Sequence, residues 1–410
     1  MTLELLSVNF DGLMRKDVVI IGAGVVGSAV AYELSRRGVK DIAVLDVDLE
    51  GGFSSSERNA GGVRHLWQQR LNSELSRISI AFFKDIASEI GFQEKGYLWL
   101  YSNEQKAQGE KVLAHTKERK LAYEALEVAE IKKRYPFIDK TDDLSFALYG
   151  EKDGILNTNA LKEYFRKNAT HAKFYDGLWA SHLKSEGGKV SFTAHAVAKT
   201  AVETQVTHPE KEPSSVADRW ECEKLIIATG AWSGELLKDH YPTPLTYPVR
   251  RQISFFKLED FDLSPYGMVV DTSRVYFHPE GGNVLSGIVL RDEKPGYKFN
   301  YDDDFFESHI WPNLYERSSK FERLKPLSGW GGLYSYSPDI TGILGPVPKL
   351  PNVYEAHSFT GHGVMHSYAA GKLLAEKILD GKYLSLDAEP LSRERFSRGE
   401  SDWLKEDLHI

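Results

Sequence analysis

The sequence predicts a mixed α/β protein with more than one domain, and three observations support the prediction. Residues 17–48 run from a β-branched apolar segment through a glycine turn and an amphipathic stretch to a second apolar segment, the pattern of a strand–helix–strand unit. Residues 248–286 are rich in strand-forming residues, with a hairpin signal at Gly281 and Gly282. The chain has 410 residues, too many for one ordinary core, so two domains or one domain with a large insertion are expected.

The glycine turn in the first unit has the spacing of a dinucleotide-binding fingerprint. Gly22, Gly24 and Gly27 stand between the first strand and its helix, and Asp46 follows the second strand. In this motif the glycines permit a tight turn, a close approach of pyrophosphate to the backbone and close helix–strand packing. The helix N-terminus attracts phosphates, and the acid can accept hydrogen bonds from a ribose. The motif predicts a bound dinucleotide; the alternative is a purely structural turn.

Composition argues against several classes of partner. The net charge is −8, and short basic runs such as "KERK" do not form the sustained cationic surface that nucleic acid requires. The single cysteine, Cys222, excludes an intrachain disulfide and leaves no Cys–His metal spacing, so no metal is expected.

The N-terminal sequence and the hydropathy pattern bear on the subcellular location of the protein. The first 17 residues, "MTLELLSVNFDGLMRKD", lack the pattern of a secretory signal. No apolar run approaches the roughly 18 residues of a spanning helix. We expect a cytoplasmic protein whose membrane association, if any, is peripheral.

The remaining elements follow from apolar periodicity and turn residues. Residues 51–67 are rich in Gly and Ser and predict a loop rather than a strand. The other expectations are a helix over 72–91, a strand near 96–105, a charged helical segment over 105–135, a helix starting near 157–159, strands over 173–206 and 224–229, a helical segment over 301–321 and a closing helix ending at Gly381.

The closing helix begins at an unusual small-residue turn, "SFTGHGVM". Gly361 and Gly363 flank His362, and Leu373 and Ile378 continue at helical spacing. Taken alone, the glycines fit either a tight turn for close helix packing or a close approach of the backbone to a ligand.

Taken together, the motifs resemble the D-amino-acid oxidase superfamily of FAD-dependent oxidoreductases, in the branch of sarcosine oxidase and dye-linked L-proline dehydrogenase. Five motifs occur in the family order: the fingerprint at 22–46, "SSERNAGGVRH", "IIATGAWS", "SPDITGILGP" and "FTGHGVM". The resemblance implies FAD rather than NAD, because a nicotinamide enzyme needs no second glycine motif at its C-terminus.

The resemblance also implies a domain organisation. A Rossmann-type FAD-binding domain, expected at 1–95, 145–245 and 330–385, is interleaved with a substrate domain built on a large mixed β-sheet at 96–144 and 246–329. Residues 386–410 form a C-terminal tail expected on the surface or at an interface.

The family pattern places a set of residues against the cofactor, with the amides near Gly361 to Gly363 at the pyrimidine edge of the flavin. FAD is expected to be noncovalent, because the family's linking cysteine corresponds here to Gly332 and Cys222 lies in another motif. The implied FAD-binding residues are Gly22, Gly24, Val25, Val26, Gly27, Asp46, Val47, Ser55, Ser56, Arg58, Asn59, Ala60, Gly61, Gly62, Trp179, Ala228, Thr229, Gly230, Trp232, Gly332, Gly361, His362, Gly363, Val364 and Met365.

The substrate residues implied by the family are fewer. Arg64 matches the arginine that holds the substrate carboxylate, a task suited to a guanidinium that donates two parallel hydrogen bonds. Tyr334, Met268 and Tyr276 match residues of the pocket beside the flavin. Met365 stands where sarcosine oxidases carry a second cation, a lysine, which favours an apolar cyclic amino acid such as proline over sarcosine.

The implied reaction is oxidation of the C–N bond of a secondary amino acid by hydride transfer to flavin N5. Leu285 replaces the lysine that speeds oxygen reduction in sarcosine oxidases, so a quinone, a dye or a partner redox protein is the expected electron acceptor. Two alternatives stay open: a peroxide-forming oxidase of the sarcosine or glycine type, and an FAD-containing assembly factor without catalysis. The sequence leaves oligomeric state open.

Overall fold

The computed structural model describes residues 13–215, 217–259 and 261–408. Residues 1–12, part of the segment judged to lack a targeting signal, lie outside the described residues. The strands are β1 (Met14–Ile21), β2 (Ile42–Leu45), β3 (Gly62–Val63), β4 (Tyr97–Ser102), β5 (Tyr123–Glu127), β6 (Leu144–Gly150), β7 (Gly154–Ile155), β8 (Ala172–Tyr175), β9 (Leu178–Glu186), β10 (Lys189–Ala196), β11 (Ala217–Ile227), β12 (Tyr247–Leu258), β13 (Met268–Val270), β14 (Tyr276–Glu280), β15 (Asn283–Gly287), β16 (Leu324–Tyr336), β17 (Ile343–Pro346) and β18 (Val353–His357).

The α-helices are α1 (Val25–Arg36), α2 (Arg70–Asp85), α3 (Ala87–Ile90), α4 (Lys106–Glu118), α5 (Val128–Arg134), α6 (Thr158–Asn168), α7 (Val202–Thr207), α8 (Ser233–Leu236), α9 (Trp311–Arg317) and α10 (Gly363–Asp380). A π-helical turn, Phe306–Ile310, leads into α9. Helix α6 starts where the sequence predicts, because the Asn157 side chain accepts a hydrogen bond from the Ala160 N–H.

The first large sheet has the order β17-β18-β11-β1-β2-β8, and β9 and β10 extend it from β11. Strand β1 pairs in parallel with both β11 and β2, which confirms the predicted strand–helix–strand unit. Both faces are covered: Val18 and Ile20 enter one apolar cluster together with helices α1 and α10, whereas Val19 and Ile21 enter another. Continuous apolar strands are typical of a sheet buried on both sides.

The second large sheet has the order β16-β12-β15-β14-β13-β4-β6-β5. Alternate residues of β4 again enter different clusters, Leu98 and Leu100 on one face and Tyr97 and Trp99 on the other. The fold is therefore a mixed α/β architecture with two large sheets, as predicted.

Three local predictions were wrong. Within the predicted loop 51–67, Gly62–Val63 forms the short strand β3 and pairs with β7. The segment 105–135 is not one helical excursion, because Tyr123–Glu127 forms β5 and pairs antiparallel with β6. Hydrogen bonds to an open sheet edge override helix propensity there. Within 173–206, the last residues form α7 rather than a strand.

The predicted domain boundaries remain a prediction. Strand β6 and residues 330–336 of β16 belong to the second sheet, although their numbers fall in the predicted cofactor half. Among the described residues, no helix is long and apolar enough to cross a bilayer.

Candidate active site

A cavity is lined by residues from both large sheets and by the loops after β1, β2 and β11. Every predicted cofactor and substrate residue except Gly27 lines it. Because β1, β2 and β11 run parallel, their carboxyl ends meet at one edge, where open α/β sheets bind ligands. The fold thus brings together motifs that span the sequence from Gly22 to Met365.

The fingerprint glycines allow close packing at this edge. Gly22 has φ of +101°, and a Cβ there would lie 2.4 Å from the Ala228 carbonyl oxygen. A Cβ on Gly27 would lie 1.9 Å from the Gly22 carbonyl oxygen. Gly27 therefore acts by bringing α1 against β1, which explains why it does not line the cavity.

The N-terminus of α1 is open to a ligand anion. Its N-cap residue, Gly24, provides no side-chain cap, and the first turn contains no acidic residue. The Val25 N–H donates to Ser56 Oγ at 3.0 Å. Since helix N-termini carry partial positive charge, this end of the cavity suits a diphosphate.

Asp46 supplies a fixed acceptor beside the fingerprint. Its carboxylate accepts the Ala23 N–H at 2.6 Å and the Asp48 N–H at 3.0 Å. Burial raises the pKa of Asp46, against the opposing effect of these two backbone donors. A carboxylate held in this way at the end of β2 suits a ribose.

The loop after β2 connects this end of the cavity to the second sheet. Ser55 Oγ donates to the Leu333 carbonyl at 2.6 Å, and Arg58 Nη1 donates to the Gly331 carbonyl at 2.8 Å. Trp232, which packs in one apolar cluster with Val47 and Phe53, donates from Nε1 to the Val206 carbonyl. Sequence reasoning missed other residues that line the cavity, including Phe53, Ser181, His182, Glu212, Lys238 and Asp239.

The Gly-His-Gly turn contacts a predicted substrate residue. Gly361 has φ of +81°, and a Cβ there would lie 2.3 Å from Tyr334 Cζ. His362 is buried with its ring 4.2 Å from that of Trp67, a packed position. Gly371, further along α10, approaches Ala29 of α1 so closely that a Cβ would lie 2.7 Å from its carbonyl oxygen. Close packing of helices is therefore one role of the glycines in this region.

The start of α10 also fits the ligand role. Its N-cap, His362, makes no side-chain cap hydrogen bond, and the first turn has no acidic residue. Gly363 and Val364 line the cavity. A second positive helix end thus meets the same cavity as that of α1, where it can stabilise negative charge on a ligand.

Arg64 is buried, with 2% of its surface exposed, and lines the cavity. Its guanidinium lies 3.8 Å from the ring centroid of Trp67 and 4.8 Å from that of Trp99. It donates to the carbonyls of Leu66, at 2.7 Å, and Leu408. Burial lowers the pKa of Arg64, although a guanidinium stays protonated throughout the physiological range. A buried cation with neutral partners is suited to a ligand carboxylate.

Three buried phenols line the cavity on the second-sheet side. Tyr97, Tyr276 and Tyr334 line the cavity together with Met268. Burial raises the pKa of Tyr334 to about 12 and also raises those of Tyr97 and Tyr276. The three hydroxyls therefore stay protonated near neutral pH and serve as neutral hydrogen-bonding groups.

Arg251 also lines the cavity, and sequence reasoning missed it. It lies on β12 opposite Gly332 of β16. Its guanidinium carbon lies 5.4 Å from the ring centroid of Tyr334 and 5.3 Å from that of Tyr336. The alternation of side chains along β12 could have indicated this position, because Arg251 and Ile253 lie on the same face of the strand and both line the cavity.

The C-terminal tail, expected on the surface or at an interface, reaches the same region. Two bidentate ion pairs hold it, Arg393 with Glu355 and Arg395 with Asp339. Leu408 is fully buried in the apolar cluster on the cavity side of the second sheet, and its carbonyl accepts from Arg64. No local sequence pattern indicated this contact, because its partners lie 344 positions apart.

Glu406 anchors the last described turn of the tail, and we expect its removal to loosen the Arg64 loop. Its buried carboxylate accepts from the N–H groups of Gln68, Gln69 and Leu408 and from Asn72 Nδ2, at 3.0 to 3.1 Å. Glu406→Ala should lower stability by about 1 to 3 kcal/mol, because buried donors lose their acceptor. Denaturant unfolding measures this; Glu406→Gln, which keeps one carbonyl oxygen, should lose less. Equal stability of Glu406→Ala and wild type would contradict the role.

Noncovalent binding of the cofactor is expected from the position of the cysteine. Cys222 is buried on β11, in an apolar cluster formed by the first sheet and the segments packed on it. Burial raises the pKa of its thiol to about 12. Gly332 occupies the cavity wall instead. Acid precipitation should therefore release all yellow colour into the supernatant, and colour retained in the pellet would contradict the prediction.

The cavity has the features of a flavoprotein site: a dinucleotide fingerprint with an acid after β2, a second uncapped helix N-terminus, and a buried cation near buried phenols. The sequence profile of the FAD dependent oxidoreductases (DAO) matches residues 17–377. The chain belongs to this family, and its cofactor is FAD.

Individual relatives agree with the family. The chain is 29% identical to FAD-dependent oxidoreductase domain-containing protein 1 of Xenopus laevis over 93% of this chain and 83% of that protein. It is 26% identical to monomeric sarcosine oxidase of Bacillus sp. (strain B-0618), over 89% and 93% of the two chains. Its fold resembles that of L-proline dehydrogenase from P. horikoshii, with a TM-score of 0.81, 21% identity and coverage of 95% and 100%.

Proposed function

We propose that this protein oxidises the C–N bond of a secondary amino acid and passes the electrons to an acceptor other than oxygen. The observation that supports it most is the juxtaposition at Tyr334, which contacts the Gly361 turn and lies in the cavity with Arg64. A carboxylate-binding group thereby stands beside the elements that would hold the flavin. The sarcosine oxidase and L-proline dehydrogenase among the similar proteins make the same substrate class a natural choice.

Each proposed role follows from the chemistry of the side chain. A bound flavin supplies an acceptor for a hydride equivalent at N5. Arg64 binds the substrate carboxylate and so orients the adjacent carbon. Tyr276 and Tyr334, both protonated, hydrogen-bond amine or carboxylate without acting as bases. As the α C–H bond breaks, the lone pair of the neutral amine forms the new C=N bond, and the product is an iminium ion.

The proposed cofactor residues are those that line the cavity around the two helix ends. Their fit to FAD is supported by the uncapped N-termini of α1 and α10 and by the close approaches at Gly22 and Gly361. Met365 and Met268 form apolar walls at the substrate end, where a lysine would be a second carboxylate partner in sarcosine oxidases. An apolar wall favours the ring methylenes of proline over the shorter chain of sarcosine.

The direct test is turnover with an artificial dye. Proline, sarcosine and dimethylglycine should be compared, with the product identified as an imine or its hydrolysed carbonyl. Formation of such a product from an amino acid supports the proposal. Dye reduction that leaves every amino acid intact would contradict it.

The choice of electron acceptor is proposed from the environment of Leu285. Leu285 is buried among apolar residues that include Met268 and Tyr276. Arg251 is a cation in the cavity, but its charge is spread over a guanidinium already hydrogen-bonded to Arg250 O and Tyr336 Oη. It therefore offers a developing superoxide anion less field than a lysine ammonium would.

We accordingly expect reduced enzyme to react with a dye or quinone faster than with oxygen. Stopped-flow reoxidation of substrate-reduced enzyme, in air-saturated buffer or with dye, measures both rates. Oxygen as the faster acceptor would instead establish the second candidate, a peroxide-forming oxidase of the same substrates.

A further inference from the structure

Among the described residues, the buried arginines are paired with carboxylates, with one exception. Arg250 pairs with Glu293 and Asp302, Arg317 with Asp143 and Asp271, Arg393 with Glu355, and Arg395 with Asp339. Such pairing is expected, because burying a cation without a counter-charge is costly. Arg64 departs from the pattern: within the described ranges its hydrogen-bond acceptors are the neutral carbonyls of Leu66 and Leu408.

Arg251, partly buried in the same cavity wall, also donates to neutral acceptors among the described residues. Nη1 donates to the Arg250 carbonyl at 2.8 Å and Nη2 to the Tyr336 hydroxyl at 2.5 Å. Nε is buried and has no hydrogen-bond partner among the described residues. Arg58 also lines the cavity, but its Nε is used, donating to the Gly52 carbonyl at 2.6 Å. Arg251 therefore keeps an unused, buried donor at the cavity wall.

Because successive side chains of a strand point to opposite faces, Arg251 lies away from the carboxylates that pair with Arg250. Arg250 points to the opposite face, where it pairs with Glu293 and Asp302, whereas Arg251 faces the cavity. The charges of Arg251 and Arg64 both act to lower the pKa of Tyr334, against the larger effect of burial. Two cations without carboxylate partners thus lie in the cavity around one tyrosine.

We propose that Arg251 binds a second carboxylate of the substrate, so that the substrate is a secondary amino acid with two acidic groups. The inference rests on the proposed function for the role of Arg64, which binds the first carboxylate. The cofactor diphosphate does not need Arg251, because the N-terminus of α1 already offers it a positive end. Two separated guanidinium groups are complementary to two carboxylates, and a monocarboxylate such as proline, which leaves one of them unpaired, is expected to bind more weakly.

The binding test uses inert acids that differ by one carboxylate. Propionate and succinate, and butyrate and glutarate, are titrated into the FAD-loaded protein while the flavin absorption spectrum is followed. In wild type the diacid of at least one pair should bind about tenfold tighter or more than its monoacid. In Arg251→Met this ratio should fall to about one, whereas Arg251→Lys, which keeps the charge, should retain part of it.

Three results would overturn the proposal: equal affinity for diacid and monoacid in wild type, a ratio that survives in Arg251→Met, or loss of FAD affinity in Arg251→Met, which would assign the residue to the cofactor. A catalytic comparison uses N-methyl-L-alanine and N-methyl-L-aspartate, with the aspartate derivative expected to reduce the flavin more efficiently in wild type alone. The two proposals fail separately. Selective diacid binding without flavin reduction by any amine contradicts only the proposed function, and efficient reduction by proline with no diacid preference contradicts only this inference.

Discussion

Arg64→Met is expected to lower kcat/KM for amino-acid substrates by roughly 30- to 5,000-fold, the equivalent of about 2 to 5 kcal/mol. The reason is that a charge-assisted pair in a buried cavity is strong, and removal of one partner leaves the substrate carboxylate without a counter-charge. Methionine keeps an apolar side chain against the rings of Trp67 and Trp99, which lie within 5 Å of the guanidinium. Steady-state kinetics with a dye acceptor measures the loss.

An uncharged analogue provides the control for this prediction. The amide of the same amino acid lacks the carboxylate charge, so wild type and Arg64→Met should process it at similar rates. Retention of FAD by the variant would show that the loop still folds. An equal loss on acid and amide would mean that Arg64 acts by holding Leu408 and the loop rather than by binding substrate.

Gly22→Ala is expected to abolish retention of FAD. The new Cβ would lie 2.4 Å from the Ala228 carbonyl oxygen, at a backbone φ of +101° that an alanine rarely adopts. Relief of the clash requires β1 and the turn to move away from β11, which displaces the N-terminus of α1 from the cavity. The ratio of flavin to protein absorbance after gel filtration in added FAD measures the effect.

Gly38→Ala is the matched control. Gly38 lies just after the C-terminus of α1 and has a φ of +92°. A Cβ there would meet nothing within 4 Å. Both variants therefore carry backbone strain of order 1–3 kcal/mol, and only Gly22→Ala adds the clash. Gly38→Ala should lose some thermal stability and keep its flavin. Comparable FAD retention in the two variants would contradict the role of Gly22 at the cofactor site.

Local patterns explain why the nucleotide end of the site was predictable. The unit from β1 to β2 lies within about thirty residues, so its strands, helix and glycines form one local sequence pattern. The absence of a side-chain cap at the start of α1 follows from Gly24 at the N-cap position. The turn at Gly361 was recognisable for the same reason, since the residues that form it are contiguous. Arg64, placed by family motif alone, also lines the cavity.

Long-range contacts explain what was not predicted. Arg250 and Arg251 are adjacent and chemically identical, and only the packing of β12 decides which one meets Asp302 and which one meets the cavity. The contact of Leu408 with Arg64 depends on the ion pairs of the preceding tail, whose partners are distant in sequence. Strand β5 was missed because its pairing with β6 outweighs the helical character of its flanking residues.

Anaerobic bleaching of the yellow protein shows whether this protein oxidises an amino acid and reduces its bound FAD. Proline, sarcosine, N-methyl-L-alanine and N-methyl-L-aspartate are added separately without oxygen or dye, with the corresponding amides as controls. We expect loss of the flavin absorbance with at least one of the acids, at a rate reduced in Arg64→Met. Full occupancy by FAD with no bleaching by any of these amino acids would rule out the proposed oxidation and favour a non-catalytic role such as assembly of another protein complex.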